Sequence, residues 1–330
     1  MVNIINLNDL NGPFDESFDL FVCFCSFEQR SISIASHIST NNFAKALIFV
    51  NEVRLENTDQ HLHVLSQIFT SKAEVVPLNL SSPIDVADKM IEWLAIINSG
   101  CKINRIFVDI TTFTHETLLI FFAILNKNFN SAQIICGYNN AKDYSIDNKN
   151  LEAKWLSRGI GEVRSILGYS GTLKPSRSNL LIVIVGYEYE RAARIIDEIS
   201  PDHLIIGYNI ESNATTEMDR NANEDYARLL KKLAAYYGEL PSFVVPSDDP
   251  YGAYQAICQQ LDSIGTSSNI AIVPMNNKLS TLGVALVGQT RPEIQICYAP
   301  ALIYNTSSYS EPGDSCYIFP FNVPEENTEF

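Results

Sequence analysis

This chain is short of positive charge. Its 330 residues carry 23 Lys and Arg against 38 Asp and Glu, a formal net charge of −15 at pH 7. An acidic surface repels nucleic-acid backbones over long range, so no extended nucleic-acid groove is expected. Local anion sites survive that argument, because the free N–H groups of helix N-termini carry no formal charge. Long apolar runs are also missing. Leu118 to Leu125 is greasy but spans only eight residues, against the ~20 a membrane helix needs, so no membrane association is expected. The N-terminus has no basic region followed by an apolar core, and no signal peptide is expected. Neither GxGxxG nor GxxxxGK(S/T) occurs, which disfavours an ordinary NAD site or P-loop ATPase, and no cofactor is expected. The nucleophile elbow GxSxG is absent, and Gly168-Tyr169-Ser170-Gly171 is only superficially like it. No pair among the seven cysteines has CxxC spacing. Cys23, Cys25, Cys136, Cys258 and Cys297 fall inside apolar patterns, as reduced core thiols of a cytoplasmic protein do. His61 and His63 do not share a helical face, so no metal site is expected.

What the chain does have is an internal echo. Leu180 to Asn209 reads as strand, tight turn, helix and strand. The first strand, Leu180 to Val185, is a continuous Ile/Val-rich run of the kind buried on both faces of a parallel sheet. Gly186 allows a sharp exit, after which Ala192, Ile195, Ile196 and Ile199 recur at helical spacing. Pro201 stops the helix, and His203 to Ile206 returns as a strand. Leu20 to Asn51 follows the same plan, with Ser26 to Arg30 as its turn. Three more features repeat in the same order: Val75-Val76-Pro77 with Val244-Val245-Pro246, Asn104 to Thr112 with Asn269 to Asn277, and Gln133 to Tyr138 with Gln295 to Tyr298. The expectation is an internally duplicated, Rossmann-like α/β fold: two three-layer α/β/α lobes with mostly parallel sheets.

The lobes are expected at 1–145 and 180–330, the second with a C-terminal extension, joined by an arm over 146–179. Residues 1–17, with Gly12-Pro13, read as an extended lead-in. Helices are predicted over Asp59–Phe69, from Pro83 to Ile97 and over His115–Leu125. The arm is polar, yet Trp155, Ile160, Val163, Ile166 and Leu167 are too apolar for a free linker. It reads as extended or partly helical, and Lys154, Arg158, Arg164, Lys174 and Arg177 make it basic. In the second lobe a polar loop, Glu211 to Asn221, precedes a helix over Tyr226–Tyr237. The tail reads as an added edge strand and an acidic tip.

In such sheets ligands gather beyond the carboxyl ends of the strands. Four loops lie there: Ser26 to Arg30, Asp109 to His115, Gly186 to Arg191, and Pro274 to Ser280. Each opens a helix whose first N–H groups could hold phosphate. The candidate ligand-binding residues are therefore Ser26, Glu28, Arg30, Asp109, Thr111, Thr112, Glu188, Arg191, Asn276, Lys278 and Ser280. If the protein is an enzyme, Asp109 and His115 are the catalytic candidates. Plainer readings stand beside these: a threonine caps the helix after Asp109, Glu28 and Glu188 pair with nearby arginines, and Asp248-Asp249 caps a helix. Asp109 has Pro274 as its counterpart, and Lys278 is the only charged group of its loop, able to meet a phosphate as a point charge.

The duplicated plan, with a short Glu/Arg turn after the first strand and a polar loop after the fourth, resembles the CARF-like and SAVED-like sensor domains of prokaryotic antiviral defence systems. The resemblance is architectural and covers residues 18–300. It implies binding of a nucleotide-like ligand at the strand ends and an effector on a separate chain. The leading expectation is a cytoplasmic sensor module for a nucleotide-like or phosphorylated ligand. The alternatives are a nucleoside or nucleotide hydrolase or transferase using the Asp109–His115 loop, and a structural subunit of a multiprotein complex. Homo-oligomerisation is left open.

Overall fold

The structure is a computed structural model that describes residues 1–10, 17–100, 102–144, 155–209, 217–238, 240–265 and 267–324. Gly12-Pro13, Lys154, the start of the 211–221 loop and the acidic tip lie outside the described residues. The chain divides into two compact units: Met1–Lys149 with Thr306–Asn322, and Asn150–Asn305 with Val323–Phe330.

Unit 1 is built on the strands β1 (Asn3–Asn6), β2 (Phe18–Cys25), β3 (Phe43–Asn51), β4 (Ala73–Leu78), β5 (Arg105–Asp109) and β6 (Gln133–Tyr144). Helices α1 (Ser33–His37), α2 (Thr58–Phe69), α3 (Pro83–Gly100) and α4 (His115–Asn128) connect them. β2 to β6 are mutually parallel and lie in the spatial order β6-β5-β2-β3-β4. Strand alternation sends Phe21, Cys23 and Cys25 into a core shared with Ile34 and Ala35 of α1 and Leu65 and Phe69 of α2. On the opposite face Phe24 meets Phe113, and Phe49 meets Phe121 of α4.

Unit 2 repeats this order. Its strands are β7 (Ser157–Ile160), β8 (Arg164–Ser170), β9 (Ser178–Ile184), β10 (His203–Tyr208), β11 (Ser242–Val244), β12 (Ser268–Pro274), β13 (Gln295–Tyr298) and β14 (Ala301–Tyr304). Its helices are α5 (Tyr189–Ile199), α6 (Glu217–Tyr237), α7 (Pro250–Ile264) and α8 (Lys278–Thr290). The parallel strands run β11-β10-β9-β12-β13. Leu181, Val183 and Val185 pack on Ala192, Ile195 and Ile196 of α5 and on Leu229 and Leu233 of α6. The internally duplicated α/β fold expected from sequence is thus present, with the same strand order in both sheets.

Of the two readings of the arm, extended or partly helical, its described part takes the extended one: β8 pairs antiparallel with β13, and β7 pairs antiparallel with β14. Two segments depart from the sequence reading. The tail is not an outer edge of the second sheet. β15 (Ser310–Pro320) lies in the first, antiparallel to β6 on one side and to β1 on the other. The long β6 presents a row of backbone groups that needs a partner, and β15 supplies it. Finally, α6 starts at Glu217, inside the stretch expected to be a loop. Its first turns are polar, and polar turns carry no periodic signal.

Candidate functional site

In both sheets the strand order reverses beside the first parallel strand, between β2 and β5 and between β9 and β12. Open α/β sheets leave a crevice at such a point, outside the strand carboxyl ends. The loops that flank it are the four singled out from sequence.

In unit 1 the loop after β2 is tied down by its own polar groups. Ser26 Oγ accepts the Glu28 N–H at 3.1 Å, and the Ser26 carbonyl accepts from His61 Nδ1 at 2.9 Å. Arg30 is 3% exposed. It donates to Glu28 Oε2 through Nη2 at 2.6 Å and Nε at 3.1 Å, to Ser310 Oγ at 3.2 Å and to the Asn139 carbonyl at 3.2 Å. Ser310 Oγ donates in turn to Glu28 Oε2 at 2.7 Å, and Tyr144 lies under the guanidinium at 5.4 Å. Burial opposes the Arg30 charge, but the Glu28 carboxylate, Tyr144 and Tyr138 together outweigh it and hold the guanidinium above its ordinary range. This is a closed clamp. Removing either charged partner would strand the other, a cost of about 3–5 kcal/mol in buried pairs.

The loop after β5 is equally self-contained. Thr112 Oγ1 donates to the Phe24 carbonyl, stitching β5 to β2 across the switch point. Thr111 Oγ1 accepts the Asn139 N–H at 3.0 Å, and Thr111 N–H donates to Asp109 Oδ1 at 3.0 Å. Thr114 caps α4 by accepting the Thr117 N–H at 3.1 Å, as the plainer sequence reading expected. Asp109 is 2% exposed, and its Oδ2 has no hydrogen-bond partner. Burial pushes its carboxyl up to about 7, against the opposing pull of the Thr111 hydrogen bonds and the Arg30 charge. His115 is half-buried at the first position of α4.

In unit 2 the clamp recurs. Arg191 donates through Nη1 to Glu188 Oε2 and to Ser157 Oγ, the latter at 3.2 Å, and through Nη2 to the Ala299 carbonyl at 2.8 Å. Ser157 Oγ donates to the other Glu188 oxygen. Tyr298 and Tyr304 flank Arg191 at the spacing of Tyr138 and Tyr144 around Arg30. The β12 loop differs. A Cβ on Gly186 would lie 2.5 Å from the Met275 carbonyl oxygen, so only glycine lets the two loops approach this closely. Asn277 caps α8 by accepting the Ser280 N–H at 3.0 Å, and its Nδ2 donates to the Ser247 carbonyl at 2.6 Å. Ser280 is buried, and its hydroxyl donates to the Asn277 carbonyl at 3.1 Å. Asn276 is 5% exposed; its Oδ1 accepts the Asn277 N–H at 2.9 Å, which lays the amide against the α8 N-terminus. Its Nδ2 donor has no partner. Lys278, half-buried, is the first residue of α8.

Ser26, Glu28, Arg30, Asp109, Thr111 and Thr112 thus gather at the switch point of unit 1, and Asn276, Lys278 and Ser280 at that of unit 2, with the Glu188–Arg191 clamp opening α5 after β9. Sequence reading missed the residues that complete the clamps, Ser310 with Asn139 and Ser157 with Ala299. The matched spacing of Tyr138 with Tyr144 and of Tyr298 with Tyr304 was the available signal. Among the described residues no cluster of three or more His, Cys, Asp or Glu is arranged to hold a metal, and no helix is long and apolar enough to cross a membrane. The six described cysteines are free.

No protein-family model matches the chain, and no curated protein matches it at a significant level. Solved structures align over most of its length at low similarity. A protein assigned as a universal stress protein from Pseudomonas aeruginosa UCBPP-PA14 aligns at 10% identity and TM-score 0.25, covering 85% of this chain and 92% of that one. The cytoplasmic domain of a prokaryotic cation chloride cotransporter aligns at 9% and 0.25, covering 88% and 99%. A UDP-N-acetylglucosamine 2-epimerase aligns at 10% and 0.24, covering 91% and 93%. At these scores the alignments carry no argument, and the fold rests on the strand order itself.

Proposed function

We propose that the chain is a regulatory binding module for a nucleotide-like or phosphorylated ligand, with the switch point of unit 2 taking the anionic group. The observation that carries this reading is the Asn276 amide: a buried donor without a partner, lying against the N-terminus of α8. A buried N–H left unmade costs ~1–3 kcal/mol, which an acceptor oxygen from a ligand would recover. The α8 N-terminus favours the same negative group, and Lys278 adds a positive charge. Arg30 and Arg191 pair with carboxylates, so their part is to hold the loops in shape. The tandem plan supports a sensor of the CARF-like or SAVED-like kind, acting on a separate effector chain.

Titration calorimetry with ATP, 3′,5′-cyclic AMP, a cyclic oligoadenylate and inorganic phosphate tests the proposal. The expected result is saturable binding of at least one probe, weakened about tenfold or more by Lys278→Ala and by Asn276→Asp, or ~1.4 kcal/mol. Asn276→Asp keeps the size of the side chain and puts a negative charge where the ligand's would sit. Indifference to all four probes, on protein shown folded by circular dichroism, would sink the idea.

Asp109, with its carboxyl near 7 and one unpaired oxygen, favours a second reading as a nucleoside or nucleotide hydrolase or transferase. Conversion of a probe in the calorimeter cell that disappears in Asp109→Asn would move the weight there.

A further inference from the structure

Neither repeat closes its own sheet. Each repeat runs through five parallel strands and then an antiparallel sixth. The sixth of the first repeat is β7 with β8, which follow β6 in the chain but pair with β14 and β13 of unit 2. The sixth of the second repeat is β15, which follows β14 but pairs with β6 of unit 1. The two closing segments match in detail. Ser157 stands opposite Tyr304, and Ser310 opposite Tyr144. Both segments break near a glycine held tightly against its partner strand: Gly161 donates to the Pro300 carbonyl at 2.8 Å, and a Cβ on Gly313 would lie 2.5 Å from Asn140 Oδ1.

We infer that the chain is a strand-exchanged duplication, and that the exchange couples the two switch-point clamps. The serine that completes each clamp comes from the closing strand of the other repeat: Ser310 bonds Glu28 and Arg30, and Ser157 bonds Glu188 and Arg191. The stretch from Ala299 to Ser310 belongs to both clamps. Its first residue accepts from Arg191. Asn305 N–H donates to the Leu156 carbonyl at 2.9 Å and its Nδ2 to the Trp155 carbonyl at 3.0 Å. Ser308 is buried, and Tyr309 meets the Phe27 ring edge-on at 5.3 Å. Ser310 then enters the Arg30 clamp. This short stretch is the covalent link from one clamp to the other. Loosening Glu188–Arg191 therefore pulls on the strand that fastens Glu28–Arg30, which gives a ligand at one switch point a physical route to the other.

Hydrogen exchange on the full chain tests the coupling, with Ser157→Ala and Glu188→Gln as perturbations. The expected result is exchange about threefold faster or more at the unit 1 amides of Ser310–Pro320 and Gln133–Tyr144. The same variants then carry a specific protease site inserted at the exposed Ser307. After cleavage the tail should remain bound at one per chain, while the effect on the unit 1 amides vanishes. A change confined to unit 2 in the uncut chain overturns the coupling, as does an effect that cutting leaves intact. A tail that washes away on cutting overturns its role as closing strand. Should Glu188→Gln fail to fold, Ser157→Ala carries the test, because it removes one hydroxyl and leaves both charges paired.

Discussion

At the strand-end loops a few buried polar atoms lack partners. In unit 1 they include the acceptors Asp109 Oδ2 and Asn139 Oδ1; in unit 2 they include the donors Asn276 Nδ2 and Arg191 Nε. With Pro274 in the place of Asp109 and Asn276 in that of Thr111, the second loop holds an unpaired donor where the first holds an unpaired acceptor, on the same backbone plan. Asp109 also makes stability depend on pH. Its folded carboxyl titrates near 7 against an ordinary value of 3.8, so between those limits the folded state binds more protons than the unfolded. Its contribution is most favourable below about pH 4, is lost as pH rises to about 7, and is flat above. At ~1.4 kcal/mol per unit the full swing is roughly 4 kcal/mol. Denaturant melts of the native and Asp109→Asn proteins from pH 4 to 8 should therefore diverge, the variant gaining relative stability as pH rises. Parallel curves would show that the carboxyl titrates normally.

Among the elements, α7 and α8 show how closely the frame is fitted. Gly283 lies where a Cβ would be 2.6 Å from the Ala253 Cβ and 2.8 Å from the Pro250 carbonyl oxygen. Gly283→Val must push the helices apart, and overpacking of this kind costs about 1–3 kcal/mol. The expected outcome is a lower urea midpoint with an unchanged slope, and with it weaker ligand binding, because α8 carries Asn277 and Lys278 at its start. A midpoint equal to that of the native protein would mean the two helices have room to spare. These elements were legible in sequence. Pro83 and Pro250 at helix starts, Pro201 at a helix end and the apolar runs of β2 and β9 all carry local physical signals. The early turns of α6 were not legible, and the arm was legible only as extended or partly helical, since polar turns and short half-buried strands lack a period strong enough to read.

For the molecule as a whole, charge sets the terms. At −15 the surface repels phosphate backbones over long range. A short DNA duplex in 0.15 M salt is expected not to shift in a gel at protein concentrations up to about 10 μM, where non-specific binders begin to engage. A shift would reveal a basic groove that the net charge conceals. The same scale explains why unit 1 needs the C-terminal tail. β15 is an interior strand there, paired on both sides, so the first unit is complete only when the last strand of the chain has been made.

The sequence by itself determined the repeat, the parallel strands, the helix caps and the loops that lie at strand ends, because each of these depends on residues close together in the chain. Apolar period, capping chemistry and the turn residues are local, and they can be read locally. Only the tertiary structure decided that Ser310 and Ser157 close the clamps, that Arg30 and Arg191 pair with carboxylates, and that Asp109 Oδ2 and Asn276 Nδ2 are among the buried atoms left without a partner. Those outcomes depend on which strand lies beside which. Strand pairing joins backbone groups far apart in sequence, and the hydrogen bond from Ser310 to Glu28 spans almost the entire chain.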